Sequence, residues 1–148
     1  MRKIDYPIYY KNERRKYRSS PKELKEIILQ YYPLTKEFID WTIKQGFKIQ
    51  YTSSWEEGTG EVFWNSRRIM LSSQGGKKLI DKVLVHEIVH ILIPGIPNPY
   101  EELREREEFE KAIEEVTNVY LNDLELIKYI RQKIPVFQDN KWLVKEYK

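Results

Sequence analysis

No cysteine occurs among the 148 residues. A disulfide framework and a thiolate metal site are therefore excluded. Histidine is nearly as scarce: the chain has two, so any imidazole chemistry falls to that one pair. No apolar run approaches the roughly 20 residues that a membrane-spanning helix needs. The N-terminal stretch from Met1 to Pro7 lacks an apolar core of signal-peptide length. A cytoplasmic protein with no membrane partner is the expectation. Neither sign of charge dominates, with 26 Lys and Arg against 23 Asp and Glu and a net charge of +3. That excess is too small to argue for nucleic acid, and the basic cluster Lys11–Arg18 reads as a solvated tail.

What is present fits one soluble domain spanning residues 1–148. Hydrophobic residues make up 41% and charged residues 33% of the chain, and 148 residues suffice for a single core. Residues 1–20 are basic and aromatic without a period, and read as an extended arm. Ser20, Pro21 and Glu23 then form a helix start, as N-cap, first helical position and capping-box partner. Leu24, Ile27, Ile28 and Tyr31 follow at helical spacing until Pro33 breaks the pattern. A second helix is expected over 34–45, closed by Gly46. Phe47–Tyr51 alternates apolar with polar residues as a half-buried strand does. Residues 61–64 and 68–71 read as two further strands joined in a hairpin at 65–67. A proline-rich turn follows at 94–99. A helical pattern runs from about 100 to 133, and an aromatic tail occupies 134–148.

Between the hairpin and the prolines lies the stretch Lys82–Leu92, KVLVHEIVHIL. It holds both histidines, His86 and His90, and Glu87 directly after the first. On a helix, residues four apart stand one above the other on one face, so the two imidazoles can share one ion. Glu87 lies about 100° round the helix, within reach of a water on that ion. Leu79, Ile80, Val83, Leu84, Val85, Ile88, Val89, Ile91 and Leu92 make the segment apolar almost all round, which is the pattern of a core helix. Polar groups buried there need partners. A zinc ion supplies one, and hydrogen-bonded core histidines are the plainer alternative.

Catalytic zinc takes three protein ligands and keeps a position for water. With both histidines used and no cysteine, the third ligand has to be a carboxylate. The acidic stretch 101–115 offers Glu101, Glu102, Glu105, Glu107, Glu108, Glu110, Glu114 and Glu115. Here the chain resembles the gluzincin metallopeptidases, most closely those of the ImmA/IrrE type and the minigluzincins, over residues 46–130. In these a helix bearing His-Glu-x-x-His is followed by a second helix whose glutamate binds zinc. The second motif commonly has a small residue three positions after that glutamate and Asp or Asn four positions after it. Glu114, Thr117 and Asn118 fit that pattern. The resemblance therefore implies Glu114 as ligand, with Glu115 as second choice, and Asn118 as the group that hydrogen-bonds a ligating histidine. Glu110 lies at a workable distance from His90 but lacks the downstream pattern.

The resemblance implies a small zincin-like α+β domain. A three-stranded, mostly antiparallel sheet would pack on the histidine helix and the following glutamate helix, with further helices N-terminal. It implies a zinc-dependent peptidase acting on peptide or protein substrates, with Glu87 as the base that activates a zinc-bound water. An extended substrate would pair with an edge strand, a role that falls to Arg68–Leu71. An alternative is a non-catalytic or regulatory protein that keeps the metal scaffold, although such a site has no need of Glu87. Another is a DNA-associated regulator using the basic arm. A further expectation is latency, with the arm or the C-terminal tail covering the cleft.

Overall fold

In a computed structural model of the chain, residues 25–26, 28–30, 32–92 and 103–137 are described. Of residues 103–109, the backbone alone is described. The expected arm, the helix start at Ser20–Glu23, the 94–99 turn and residues 138–148 lie outside these ranges.

The architecture is α+β. Helix α1 (Lys36–Lys44) leads to strand β1 (Lys48–Thr52), and the β2 (Gly60–Phe63) and β3 (Arg68–Ser72) hairpin follows. Helix α2 (Lys77–Leu92) carries the histidines, and α3 (Leu103–Tyr120) and α4 (Leu124–Lys133) follow, while residues 25–26 and 28–30, before α1, are also helical. Thr35 caps α1 by accepting the Phe38 amide at 3.1 Å. Gly46, just past the C-cap, adopts φ +93, the left-handed turn that glycine enters without steric cost. The hairpin turns through Arg67 at φ 55, with its guanidinium over the Phe47 and Trp64 rings at 5.5 and 5.9 Å.

The sheet order is β1-β3-β2. β2 pairs antiparallel with β3, Val62 opposite Ile69, whereas β1 pairs parallel with β3, Ile49 opposite Ile69. The sheet is therefore mixed rather than mostly antiparallel. Once the hairpin folds back, β3 enters between the two earlier strands and must run alongside β1. A second consequence corrects the substrate-strand expectation. Arg68–Leu71 belongs to the central strand, with its backbone engaged on both sides. The outer edge of β1 is partly covered, because Ile49 donates to Pro135 O at 2.9 Å and accepts from the Phe137 amide at 2.7 Å. Among the described residues, β2 has no partner on its far side.

The expected continuous helix over 100–133 is two helices. Asp123 ends the run and caps α4 by accepting the Leu126 amide at 3.1 Å. α3 packs on α2, and α4 packs on α1. The C-terminal half of α2 is the centre of the core: Leu84, Val85, Ile88, Val89, Ile91 and Leu92 are each at most 1% exposed. Burying each such side chain contributes roughly 1.5–3 kcal/mol of gross transfer free energy. Phe38, Phe47, Ile69, Leu71, Ile113, Val116 and Ile130 close around them. α2 is thus fixed along its length, and its charged end is tied down as well, since Arg131 of α4 forms an ion pair with Asp81. No helix among the described residues is long and apolar enough to cross a membrane.

Candidate metal centre

The fixed helix presents His86 and His90 toward α3, with Nε2 atoms 3.0 Å apart and ring centroids 4.7 Å apart. From α3, Glu110 reaches both. Its Oε1 is 3.2 Å from His90 Nε2 and its Oε2 is 3.4 Å from His86 Nε2. Three ligand atoms, one each from His86, His90 and Glu110, lie within 4.8 Å of one another. Around a tetrahedral zinc with bonds near 2.05 Å, neighbouring ligand atoms stand about 3.3 Å apart. The Nε2–Nε2 separation of 3.0 Å and the 3.2 Å from His90 Nε2 to Glu110 Oε1 are close to such an edge, while His86 meets the other oxygen of Glu110 at 3.4 Å, so this donor set could hold an ion. Two imidazole nitrogens and a carboxylate are held this close only by shared protons or by a cation.

Glu114, one turn further along α3, meets a different nitrogen. Its Oε2 is 3.1 Å from His86 Nδ1 and its Oε1 is 2.7 Å from Lys82 Nζ. An ionised carboxylate only accepts, so His86 Nδ1–H donates to it; in the protonated ring Nε2–H can also donate to Glu110, and loss of that proton leaves Nε2 as the nitrogen open to a metal. A histidine that binds metal through one nitrogen is commonly oriented in this way through the other. Two glutamates four residues apart thus meet the histidines one helical turn before the expected pair Glu114 and Asn118. Glu110 occupies the place read for Glu114, and Glu114 the place read for Asn118. Glu115 and Asn118 are exposed, and the Asn118 carbonyl accepts from the Asn122 side chain at 3.3 Å.

The electrostatics follow from these contacts. For Glu110, burial raises the pKa, but the two imidazoles beside it pull the carboxyl well below its usual range. For Glu114, burial also raises it, and the hydrogen bond and charge of Lys82, with His86, outweigh this and lower it. For His86, burial opposes protonation, yet the hydrogen bond to Glu110 and the charges of Glu87, Glu110 and Glu114 lift it above its ordinary value. Glu87 differs from the other carboxyls. It is 7% exposed, and burial, only partly offset by the two histidines, raises its pKa. His90 Nδ1 is buried and has no hydrogen-bond partner among the described residues.

A cavity of about 440 Å³ opens beside the cluster, with Gly58, Thr59, Gly60, Leu79, Val83 and Glu87 in its wall. Lys82, His86 and Glu114 also reach it. Gly60 brings β2 directly onto α2. A Cβ there would come within 2.5 Å of Val83 Cγ1, 3.1 Å of Glu87 Cγ and 3.2 Å of Leu71 Cδ2. No side chain fits, so the strand edge lies against the glutamate. Gly60 and Lys82 carried no sequence motif, although Lys82 stands four residues before His86 and so belongs to the same helix face.

No known protein family, curated protein or solved structure matches the chain. The functional reading therefore rests on this geometry and on the motif resemblance.

Proposed function

We propose that the protein is a zinc-dependent peptidase in which His86, His90 and Glu110 hold the ion and Glu87 is the catalytic base. The observation that carries this reading is the three-donor cluster, one ligand atom from each residue within 4.8 Å of the others, with a buried glutamate adjoining its first histidine on the same cavity wall. When bound, Zn²⁺ supplies Lewis acidity toward a water and the scissile carbonyl.

The remaining chemistry belongs to the chain. Glu87 takes a proton from the attacking water and delivers it to the leaving amine nitrogen. Its raised pKa suits a group that must accept and then release a proton near neutrality. Glu110 contributes negative charge to the ion. Glu114 keeps the His86 ring aligned and its Nδ1 protonated. No tyrosine or arginine is among the described residues lining the cavity, which leaves Lys82 as the cationic side chain on its wall.

Among the described residues the far edge of β2 is unpaired, and it would give the substrate its path. Thr59 accepts from the Ser72 amide at 2.9 Å, so in the antiparallel ladder Thr59, Glu61 and Phe63 turn their backbone groups toward β3. Gly60 and Val62 then turn theirs outward. An extended peptide added at this edge would run beside Glu87, because Gly60 touches α2 there. Short unfolded segments are the substrate class that fits strand addition. A reducing compartment such as the cytoplasm fits the absence of cysteine.

A metal-binding protein without catalysis is the competing reading, and one pair of measurements separates the two. Zinc content and cleavage of denatured casein are compared for wild type, His86→Ala and Glu87→Ala. The expected result is that His86→Ala loses zinc and activity, while Glu87→Ala keeps zinc and loses activity. Casein cleavage by Glu87→Ala at the wild-type rate overturns the peptidase mechanism, and wild type that purifies and reconstitutes without zinc overturns the metal site.

A further inference from the structure

The Glu114 carboxylate has two oxygens with two different partners, and only one of those partners is a histidine. Oε1 lies 2.7 Å from Lys82 Nζ while Oε2 lies 3.1 Å from His86 Nδ1. Lys82 and His86 are four apart on α2, Glu110 and Glu114 are four apart on α3, and the two pairs face each other across the helix contact. Lys82 is thus the terminal member of a row in which the ammonium fixes the carboxylate and the carboxylate fixes the imidazole.

Glu114 needs that restraint. Its side chain is 41% exposed, and a glutamate free in water samples many rotamers. Some of these take it off His86, which frees the ring to turn. Others bring it to the ion in competition with Glu110, one turn away. A positive charge beside the cluster has an opposing effect, because an ammonium near a divalent cation repels it. A lysine in this position weakens metal binding by its charge and strengthens it by holding Glu114. The two effects have opposite signs, so removing the lysine reveals which is larger.

The geometry points to Lys82 as a positioning residue of the metal centre, which holds Glu114 on His86 Nδ1 and keeps it out of the coordination sphere. This rests on the reading that His86, His90 and Glu110 bind the ion. A partly exposed ion pair contributes little to folding stability, so replacing Lys82 should leave the fold standing.

The test is zinc affinity by competition with a chromophoric chelator, for wild type, His86→Ala, Lys82→Met, Lys82→Gln and Lys82→Arg. Thermal melting of the metal-free proteins runs in parallel. Loss of a group that orients a ligand typically costs about 10–100-fold in affinity. The expected result is at least about a tenfold weaker Kd in Lys82→Met and Lys82→Gln, recovery in Lys82→Arg, and metal-free melting temperatures close to wild type. The visible spectrum of the Co²⁺-loaded protein should also change in Lys82→Met, as the His86 ring loses its fixed orientation, and revert in Lys82→Arg. Zinc bound as tightly or more tightly by Lys82→Met overturns the proposal, because charge repulsion then outweighs positioning. If wild type and His86→Ala bind zinc alike, the metal reading itself is at fault and Lys82 loses its role with it.

Discussion

Glu110 and Glu114 stand one turn apart on α3 and address opposite nitrogens of the same imidazole, His86 Nε2 at 3.4 Å and His86 Nδ1 at 3.1 Å. One faces the proposed ion site and the other meets the far side of the ring. Their substitutions should therefore separate cleanly. Glu110→Ala is expected to abolish stoichiometric zinc, whereas Glu114→Ala should retain it with affinity lowered about 10–100-fold. Metal analysis after dialysis against a weak chelator checks both, and an inverted order would reassign the third ligand to Glu114.

Acidity acts on this cluster in two directions. In the metal-free protein His86 lies above its ordinary value of 6.5. Its contribution to stability is complete below the unfolded value and is lost as pH rises through the raised folded one. Glu110 lies below its ordinary 4.5, so its contribution is complete above that value and lost only as pH falls through the depressed one. The metal-free melting temperature should accordingly fall as pH rises above 6.5. Zinc needs the imidazole deprotonated, so its affinity rises over the same interval. Calorimetric scans with and without zinc should show the stabilisation by metal widening with pH.

Gly60 offers a steric test. Gly60→Ala places a methyl 2.5 Å from Val83 Cγ1, and overpacking of this kind costs about 1–3 kcal/mol. Because the same methyl reaches Glu87 Cγ at 3.1 Å, activity should fall by more than stability alone explains. Urea unfolding together with casein turnover measures the two losses, and an unchanged midpoint would show that β2 can lift from α2.

Val62 tests the strand edge. Val62→Pro removes an amide that points away from β3 and leaves the β2–β3 ladder intact. The expected outcome is unchanged zinc content with a markedly lower kcat/KM on peptides. Full activity in Val62→Pro would mean that substrate does not pair with β2.

The caps bear on how far the fold could be read from the chain. Asp123→Ala and Thr35→Ala should each cost about 1 kcal/mol in chemical denaturation, since each removes an acceptor for a helix-start amide. Neither cap was legible beforehand. Helical periodicity ran through Asp123 without a glycine or proline to interrupt it, and the expected start of α1 fell on Leu34. Local signals did locate the Gly46 stop, the 65–67 hairpin and the histidine helix, because backbone conformation and periodicity are set by near neighbours. The parallel pairing of β1 with β3 was not legible, since pairing is a choice among distant segments. The same limit explains Glu110. Residues 110, 114 and 118 share one face of α3, so spacing alone cannot say which turn stands opposite the histidines. Only the packing of α3 on α2 decides it.

The backbone seal that residues 135–137 place on β1 has a further consequence. With that flank partly covered and the Gly60–Phe63 flank unpaired among the described residues, lateral growth of the sheet is expected at the Gly60–Phe63 flank. A second copy stacking there would occupy the groups that a peptide needs, so crowding of the protein with itself and turnover draw on one shared resource. Specific activity should therefore decline as protein concentration rises, without any loss of folded molecules.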